Sequence, residues 1–143
     1  MEHRPSHLGI CVSDLDRSLR FYCEGLGFEV GDRYDLSTAQ IPDIHKGLEV
    51  EAPVTVTSQM VVNGPMKIEL IHYPERVPEG TPSTSRGQLG LTHLSFTVKK
   101  VDESAARLVE QGGTILEHTR ANVGIEIVFL TDPDGTRIEL MGG

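Results

Sequence analysis

The chain has 143 residues, of which 38% are hydrophobic and 24% charged, and its formal net charge is −8 at pH 7. This length suits one compact domain or two closely packed half-modules. The acidic charge opposes nucleic-acid binding, whose usual signature is a basic patch, and no apolar run is long enough to span a membrane. Residues 1–5 are polar and lack a signal-peptide core, so we expect a cytoplasmic protein that binds a small molecule.

Hydrophobic periodicity predicts four strands and one helix in the first half of the chain. A strand over residues 6–12 is followed by a helix over 15–26, in which apolar residues recur at helical spacing. The remaining strands are predicted at 28–34, 54–62 and 66–73. The hairpin signal Asn63-Gly64 joins the last two. Residues 35–53 are predicted to form a loop or a turn of helix that contributes to substrate selection.

The second half of the chain repeats this order. His93-Leu94 aligns with His7-Leu8, and one constant offset also aligns Val98 with Val12. A strand is predicted at 91–98 and a helix at 101–111, and the last three strands are predicted at 114–117, 124–130 and 136–141. Each half therefore reads βαβββ. We expect a single domain with a first module at 1–74, a polar linker at 75–90 and a second module at 91–143.

Two short copies of one pattern carry the chemistry. Lys67-Ile68-Glu69-Leu70 and Arg137-Ile138-Glu139-Leu140 each read basic, Ile, Glu, Leu. Side chains alternate along a strand, so Ile and Leu share one face and the glutamate lies on the other. A carboxylate at mid-strand needs a partner, and a cation held between the copies is the natural one.

The histidines that start the two repeats complete a ligand set. His7 and Glu69 come from the first half, and His93 and Glu139 from the second. Two imidazoles and two carboxylates suit a divalent metal ion and leave positions open for substrate. Nitrogen ligands argue against calcium and magnesium, so Zn, Ni, Co, Mn and Fe remain. Taken singly, each residue fits an ordinary structural role; their fourfold placement by two repeats favours the metal site.

Strand alternation also predicts residues that line the substrate cleft. The positions in phase with the four ligands form a polar and apolar mixture that is typical of a binding cleft rather than a core. The substrate-binding candidates are Cys11, Lys67, Tyr73, Ser95, Thr97, Arg137 and Met141. For Cys11 the alternative is the role of a small buried hydrophobe.

Three stretches resemble the vicinal oxygen chelate superfamily: His-Leu-Gly-Ile-x-Val-x-Asp-Leu-Asp-x-Ser-x-x-Phe-Tyr at residues 7–22, Thr-His-Leu-Ser-Phe at 92–96, and Asp-Pro-Asp-Gly-x-x-Ile-Glu-Leu at 132–140. The resemblance implies an α+β fold of two paired βαβββ modules, which form a curved, mostly antiparallel sheet cup with helices outside. It also implies a metal cleft and a homodimer.

The ligand set is similar to that of bacterial glyoxalase I and close to that of methylmalonyl-CoA epimerase. Cys11 stands where glyoxalase I carries an arginine that binds the glutathione carboxylate. This difference argues against glutathione as part of the substrate. The resemblance to the epimerase also implies a second carboxylate base, for which Glu49 and Glu51 are the candidates.

The resemblance therefore implies a divalent-metal-dependent lyase or isomerase. It would abstract a proton alpha to a carbonyl or thioester, with Glu69 or Glu139 as the base, and stabilise a metal-bound enediolate. Two alternatives stay open. One is an extradiol-type Fe(II) dioxygenase, and the other is a non-catalytic, drug-sequestering protein of the bleomycin-binding type.

Overall fold

The computed structural model describes residues 2–143. The chain divides into two compact units, one of residues up to 15 together with 27–79, the other of residues 16–26 together with 80–143. Each unit contains one four-stranded sheet. No helix among residues 2–143 is long and apolar enough to cross a membrane.

The sheet of the first unit combines one parallel and two antiparallel strand pairs. Its strands are β1 (Leu8–Cys11), β2 (Glu29–Ser37), β3 (Thr55–Asn63) and β4 (Met66–His72), in the order β1-β4-β3-β2. The first strand runs parallel to β4, and the other neighbours are antiparallel. The loop between β2 and β3 contains a short helix, α2 (Ile44–Leu48).

The sheet of the second unit has the same topology. Its strands are β5 (Leu94–Val98), β6 (Thr114–Asn122), β7 (Glu126–Thr131) and β8 (Arg137–Gly142), in the order β5-β8-β7-β6. Helix α3 (Val101–Glu110) connects β5 to β6. The predicted α+β fold class and the βαβββ order of each half are confirmed, because both sheets are mixed but mostly antiparallel.

The strand register places the glutamates as the alternation predicts. Glu69 lies beside Gly9 across the β1–β4 pair, and Glu139 lies beside Ser95 across the β5–β8 pair. The apolar neighbours of both glutamates are fully buried: Ile68, Leu70, Ile138 and Leu140. The face of each sheet that carries these Ile and Leu residues packs into the core. The glutamates therefore lie on the other face.

From residue 16 onward, the helical segment near the N-terminus belongs to the second unit, although the sequence repeat assigns it to the first module. It begins as α1 (Leu15–Leu19) and continues as a π-helical segment, Arg20–Gly25. The buried Tyr22 hydroxyl donates to Asp132 Oδ2 at 2.8 Å, and Arg17 donates to Asp134 Oδ1 at 3.1 Å. The sequence could not assign this partner, because both contacts span more than a hundred residues.

Three strand boundaries differ from the prediction by three residues or more. The second strand continues to Ser37 rather than ending at residue 34, so it includes the start of the predicted 35–53 loop. The fifth strand begins at Leu94 rather than at residue 91, so His93 lies just before it. The sixth strand reaches Asn122 rather than residue 117, and its pairing with β7 shifts register between Leu116 and Ala121. The register shift interrupts the apolar alternation, which explains why the sequence pattern ended early.

Candidate functional site

In the first unit, His7 and Glu69 form a pair. His7 lies just before β1 and Glu69 lies on the neighbouring β4, so the parallel register brings their side chains together. His7 Nε2 is 3.6 Å from Glu69 Oε1, and the two side chains are 33% and 23% exposed. This separation is too long for a hydrogen bond. Two ligands of one tetrahedral cation, each at about 2.1 Å, would be about 3.4 Å apart.

The second unit contains an equivalent pair. His93 lies just before β5, Glu139 lies on β8, and His93 Nε2 is again 3.6 Å from Glu139 Oε1. The Glu139 side chain is 15% exposed. The His93 ring also packs edge-on against Phe129, with centroids 5.1 Å apart. The same geometry therefore recurs in two copies of one supersecondary unit.

A hydroxyl residue fixes the orientation of each imidazole. Ser6 Oγ is 2.8 Å from His7 Nδ1, and Thr92 Oγ1 is 2.9 Å from His93 Nδ1. Because Nδ1 is hydrogen-bonded, Nε2 is the ring nitrogen directed at the glutamate. Histidines that bind metals commonly have their second nitrogen held in this way.

The two glutamates are held differently. Ser58, on β3, donates to Glu69 Oε2 at 2.6 Å, so each oxygen of Glu69 has its own neighbour. Ser95, on β5, donates to Glu139 Oε1 at 2.7 Å, and this is the same oxygen that faces His93. Glu139 Oε2 therefore has neither of these neighbours. Glycine stands at the position of Ser95 in the first unit, which accounts for the difference.

The donor chemistry of each pair fits a divalent transition metal. Each pair directs one imidazole nitrogen and one carboxylate oxygen toward a shared position, with outer hydrogen bonds to both side chains. Among residues 2–143, no group of three or more His, Cys, Asp or Glu side chains stands ready to hold a metal ion. Each pair thus supplies two ligands, whereas protein metal sites of this kind use three or four.

The predicted substrate residues of the first unit line two cavities. Cys11 and Tyr73 line one of about 400 Å³, together with Glu49, Glu51 and Arg76. Burial, followed by the nearby Cys11, raises the pKa of the Tyr73 hydroxyl.

Lys67 lines a second cavity of about 390 Å³, to which His7 also contributes. This second cavity therefore borders the His7–Glu69 pair at His7. Tyr73, four residues beyond Glu69 on the same face of the chain, lines the other cavity.

The predicted substrate residues of the second unit lie on β5 and β8. Ser95 binds Glu139, as described, and Thr97 is exposed. Met141 is half-buried and pairs with Thr97 across the two strands. Arg137 donates to the Thr84 carbonyl at 3.4 Å.

Sequence reasoning missed several residues around the pairs. Ser6 and Thr92 occupy the position before each histidine, so the repeat itself contained that signal. No such signal identified Ser58, because its contact with Glu69 depends on the pairing of β3 with β4. Arg86 donates to the carbonyl of Thr92, next to His93. It lies in the predicted linker at 75–90, where no strand or helix pattern predicts its position.

Comparison with known proteins gives consistent relationships. The family model "Glyoxalase/Bleomycin resistance protein/Dioxygenase superfamily" matches residues 4–140. A probable lactoylglutathione lyase of Synechocystis sp. is 28% identical, over 94% of this chain and 92% of the relative. A catechol-2,3-dioxygenase of Bacillus subtilis is 30% identical, over 96% of this chain but 42% of the relative. The structure of a glyoxalase family protein from Bacillus cereus matches with a TM-score of 0.80 at 21% identity, over 100% of this chain and 97% of that one.

Proposed function

Since the chain belongs to the Glyoxalase/Bleomycin resistance protein/Dioxygenase superfamily, we propose that it is a divalent-metal-dependent lyase or isomerase. It removes a proton from the carbon next to a carbonyl or thioester of a small molecule. His7, Glu69, His93 and Glu139 together bind one metal ion. The two pairs combine within one chain or between the two chains of a homodimer.

The observation that carries this proposal is the repeated 3.6 Å gap between a histidine nitrogen and a glutamate oxygen. The gap is too wide for a hydrogen bond, and in both copies a hydroxyl residue holds the other ring nitrogen. A position shared by a nitrogen lone pair and a carboxylate oxygen attracts a cation. When bound, a divalent metal polarises a carbonyl oxygen and so acidifies the adjacent C–H bond.

The hydrogen bonds favour Glu139 as the base. Both oxygens of Glu69 have a neighbour, Ser58 on one and His7 on the other. In Glu139, Oε1 accepts from the hydroxyl of Ser95 and is also the oxygen nearest the ring of His93. Oε2 of Glu139 is therefore the carboxylate oxygen left to accept a substrate proton.

Deuterium exchange tests the proposal. The protein, purified without chelator, is incubated in D₂O with methylmalonyl-CoA and, separately, with the hemithioacetal of methylglyoxal. We expect deuterium to enter next to the carbonyl of at least one compound, and Glu139→Gln to slow this more than Glu69→Gln does. Exchange in neither compound by metal-loaded protein would contradict the named reactions, and equal rates in the two variants would contradict the choice of base.

The catechol-2,3-dioxygenase relative makes ring-cleaving oxygenation the second candidate function. Non-haem Fe(II) oxygenases bind iron with two histidines and one carboxylate, and His7, His93 and one of the two glutamates would supply such a set. Oxygen consumption with catechol by Fe(II)-loaded protein, without deuterium exchange in either carbonyl compound, would favour this candidate over the first.

A further inference from the structure

Two arginines of the second unit converge on one short loop. Arg86 donates to the carbonyl of Ser83 and to that of Thr92. Arg137, on β8, donates to the carbonyl of Thr84 at 3.4 Å. Because Ser83 and Thr84 are consecutive, the two guanidinium groups donate to carbonyls of neighbouring residues.

These two positive charges lack a carboxylate partner among residues 2–143. Within the part of the chain that the structure describes, the ion pairs of the second unit involve His93, Lys100 and Arg120, together with Arg17 of the helical segment, and neither Arg86 nor Arg137 takes part in one. Arg120 of the same unit shows the contrast, since it bonds to Asp102, Glu117 and Glu126. In a chain of net charge −8, two adjacent arginines that bind only carbonyls form an unusual local excess of positive charge.

Each guanidinium retains donors for a ligand. A guanidinium has five N–H donors in a planar fork that matches the oxygens of a carboxylate or phosphate. Arg86 uses two of its nitrogens on carbonyls, and Arg137 makes one long contact. The backbone carbonyls orient the side chains and leave their charge uncompensated.

The arginine pair adjoins the His93–Glu139 pair. Arg137 lies two residues before Glu139 on β8, on the same face and about 7 Å away along the strand. Arg86 binds the Thr92 carbonyl, and the Thr92 hydroxyl binds His93. Arg137 therefore lies near Glu139, and Arg86 contacts the residue that binds His93.

We propose that Arg86 and Arg137 bind the anionic group, a carboxylate or phosphate, of a substrate whose carbonyl lies at the His93–Glu139 pair. The inference rests on the proposed function for the placement of the carbonyl, whereas binding of the anion needs only the two arginines. The substrate class is an acidic carbonyl compound, and an uncharged analogue of equal size binds less well.

The direct test is anion binding to the full-length protein, followed by NMR of the arginine Nε–H groups. The probes are inorganic phosphate and acetate, titrated at constant ionic strength. We expect saturable shifts of the Arg86 and Arg137 signals, lost in Arg86→Gln and in Arg137→Gln. The glutamine side chain keeps a donor for the backbone carbonyl but removes the charge. Arg107→Gln, which neutralises an exposed arginine on α3, is the matched control and should keep the shifts.

Absence of saturable shifts, or shifts that survive both substitutions, would overturn the proposal. The probe that saturates at the lower concentration identifies the anion as phosphate or carboxylate. The titration measures anion binding and not turnover. Its result therefore does not depend on whether the protein catalyses deuterium exchange.

A kinetic comparison separates binding from a structural role of the loop. The hemithioacetals of methylglyoxal with 3-mercaptopropionate and with its methyl ester differ in one charge. We expect the parent protein to prefer the acid, mainly through KM. Arg86→Gln or Arg137→Gln should reduce this preference roughly tenfold, the usual worth of a charge-assisted hydrogen bond. An unchanged ratio in both variants would contradict the assignment, because loop damage alone would affect the two compounds equally.

Discussion

The hydrogen bond between Tyr22 and Asp132 allows a quantitative test of how the N-terminal helical segment is held. Both residues are buried, at 0% and 2% exposed, and the hydroxyl donates to Asp132 Oδ2 at 2.8 Å. Asp132 Oδ1 accepts from the backbone amides of Asp134 and Thr136. Replacing Tyr22 with Phe preserves the ring packing but leaves one carboxylate oxygen buried without its donor.

We expect Tyr22→Phe to lower the free energy of unfolding by about 1.5–3 kcal/mol, the range for hydrogen bonds to charged groups. For a chain of this size the melting temperature should fall by about 5–10 °C. Urea unfolding followed by circular dichroism measures the difference. Tyr34→Phe, at a tyrosine that is 49% exposed, is the matched control and should change stability by less than about 0.5 kcal/mol.

The dependence of stability on pH provides a second test of the Tyr22–Asp132 hydrogen bond. Burial raises the pKa of the Asp132 carboxyl, and the bonds from Tyr22 and two backbone amides oppose that rise. Without the Tyr22 hydroxyl the pKa rises further. A carboxyl with a raised folded pKa binds more protons when folded, so stability falls as pH rises between its unfolded value, near 4, and its folded value.

That interval is wider in Tyr22→Phe than in the parent protein. The stability difference between the two should therefore be complete above the variant's Asp132 pKa and shrink as pH falls through it. A difference below about 0.5 kcal/mol at neutral pH, or one that grows in acid, would refute this account of the buried pair.

Four further predictions concern the sites, the packing and the cysteines. Ser58→Ala should weaken metal binding roughly 10–100-fold by freeing the Glu69 carboxylate, measured by chelator competition on Co²⁺-loaded protein; affinity equal to the parent's would contradict it. Gly113→Ala should destabilise the protein by about 1–3 kcal/mol, since its Cβ would lie 2.8 Å from Phe21 and 2.9 Å from the Leu108 carbonyl. In the same unfolding assay Gly47→Ala, with nothing within 4 Å inside α2, should stabilise by about 0.5–1 kcal/mol. Cys11 is exposed, whereas burial and then Glu24 raise the pKa of the half-buried Cys23. Ellman's reagent at pH 8 should therefore modify Cys11 quickly and Cys23 slowly. Cys11→Ser should remove the fast phase.

The sequence repeat predicted the order of the elements and the faces of the strands because each half obeys the same alternation. Glu69 and Glu139 sit between fully buried neighbours, a pattern that is readable without coordinates. Contacts that depend on pairing between distant elements were not readable. Ser58 reaches Glu69 through the β3–β4 register, and Tyr22 reaches Asp132 across 110 residues. Local patterns specify strands and their faces, whereas hydrogen bonds between elements arise from tertiary packing.

The roles predicted for the four ligands remain predictions that metal analysis can test. Each chain contains one copy of each His–Glu pair, so a site made from both pairs binds one metal ion per chain. Two independent sites, one at each pair, would bind two.

The most direct measurement is therefore the metal content per chain of protein purified without chelator, compared with that of His7→Ala and His93→Ala. We predict one equivalent of a divalent transition metal in the parent protein and almost none in either variant. Two equivalents in the parent, or a variant that keeps its metal, would contradict the proposal that the two pairs share one ion.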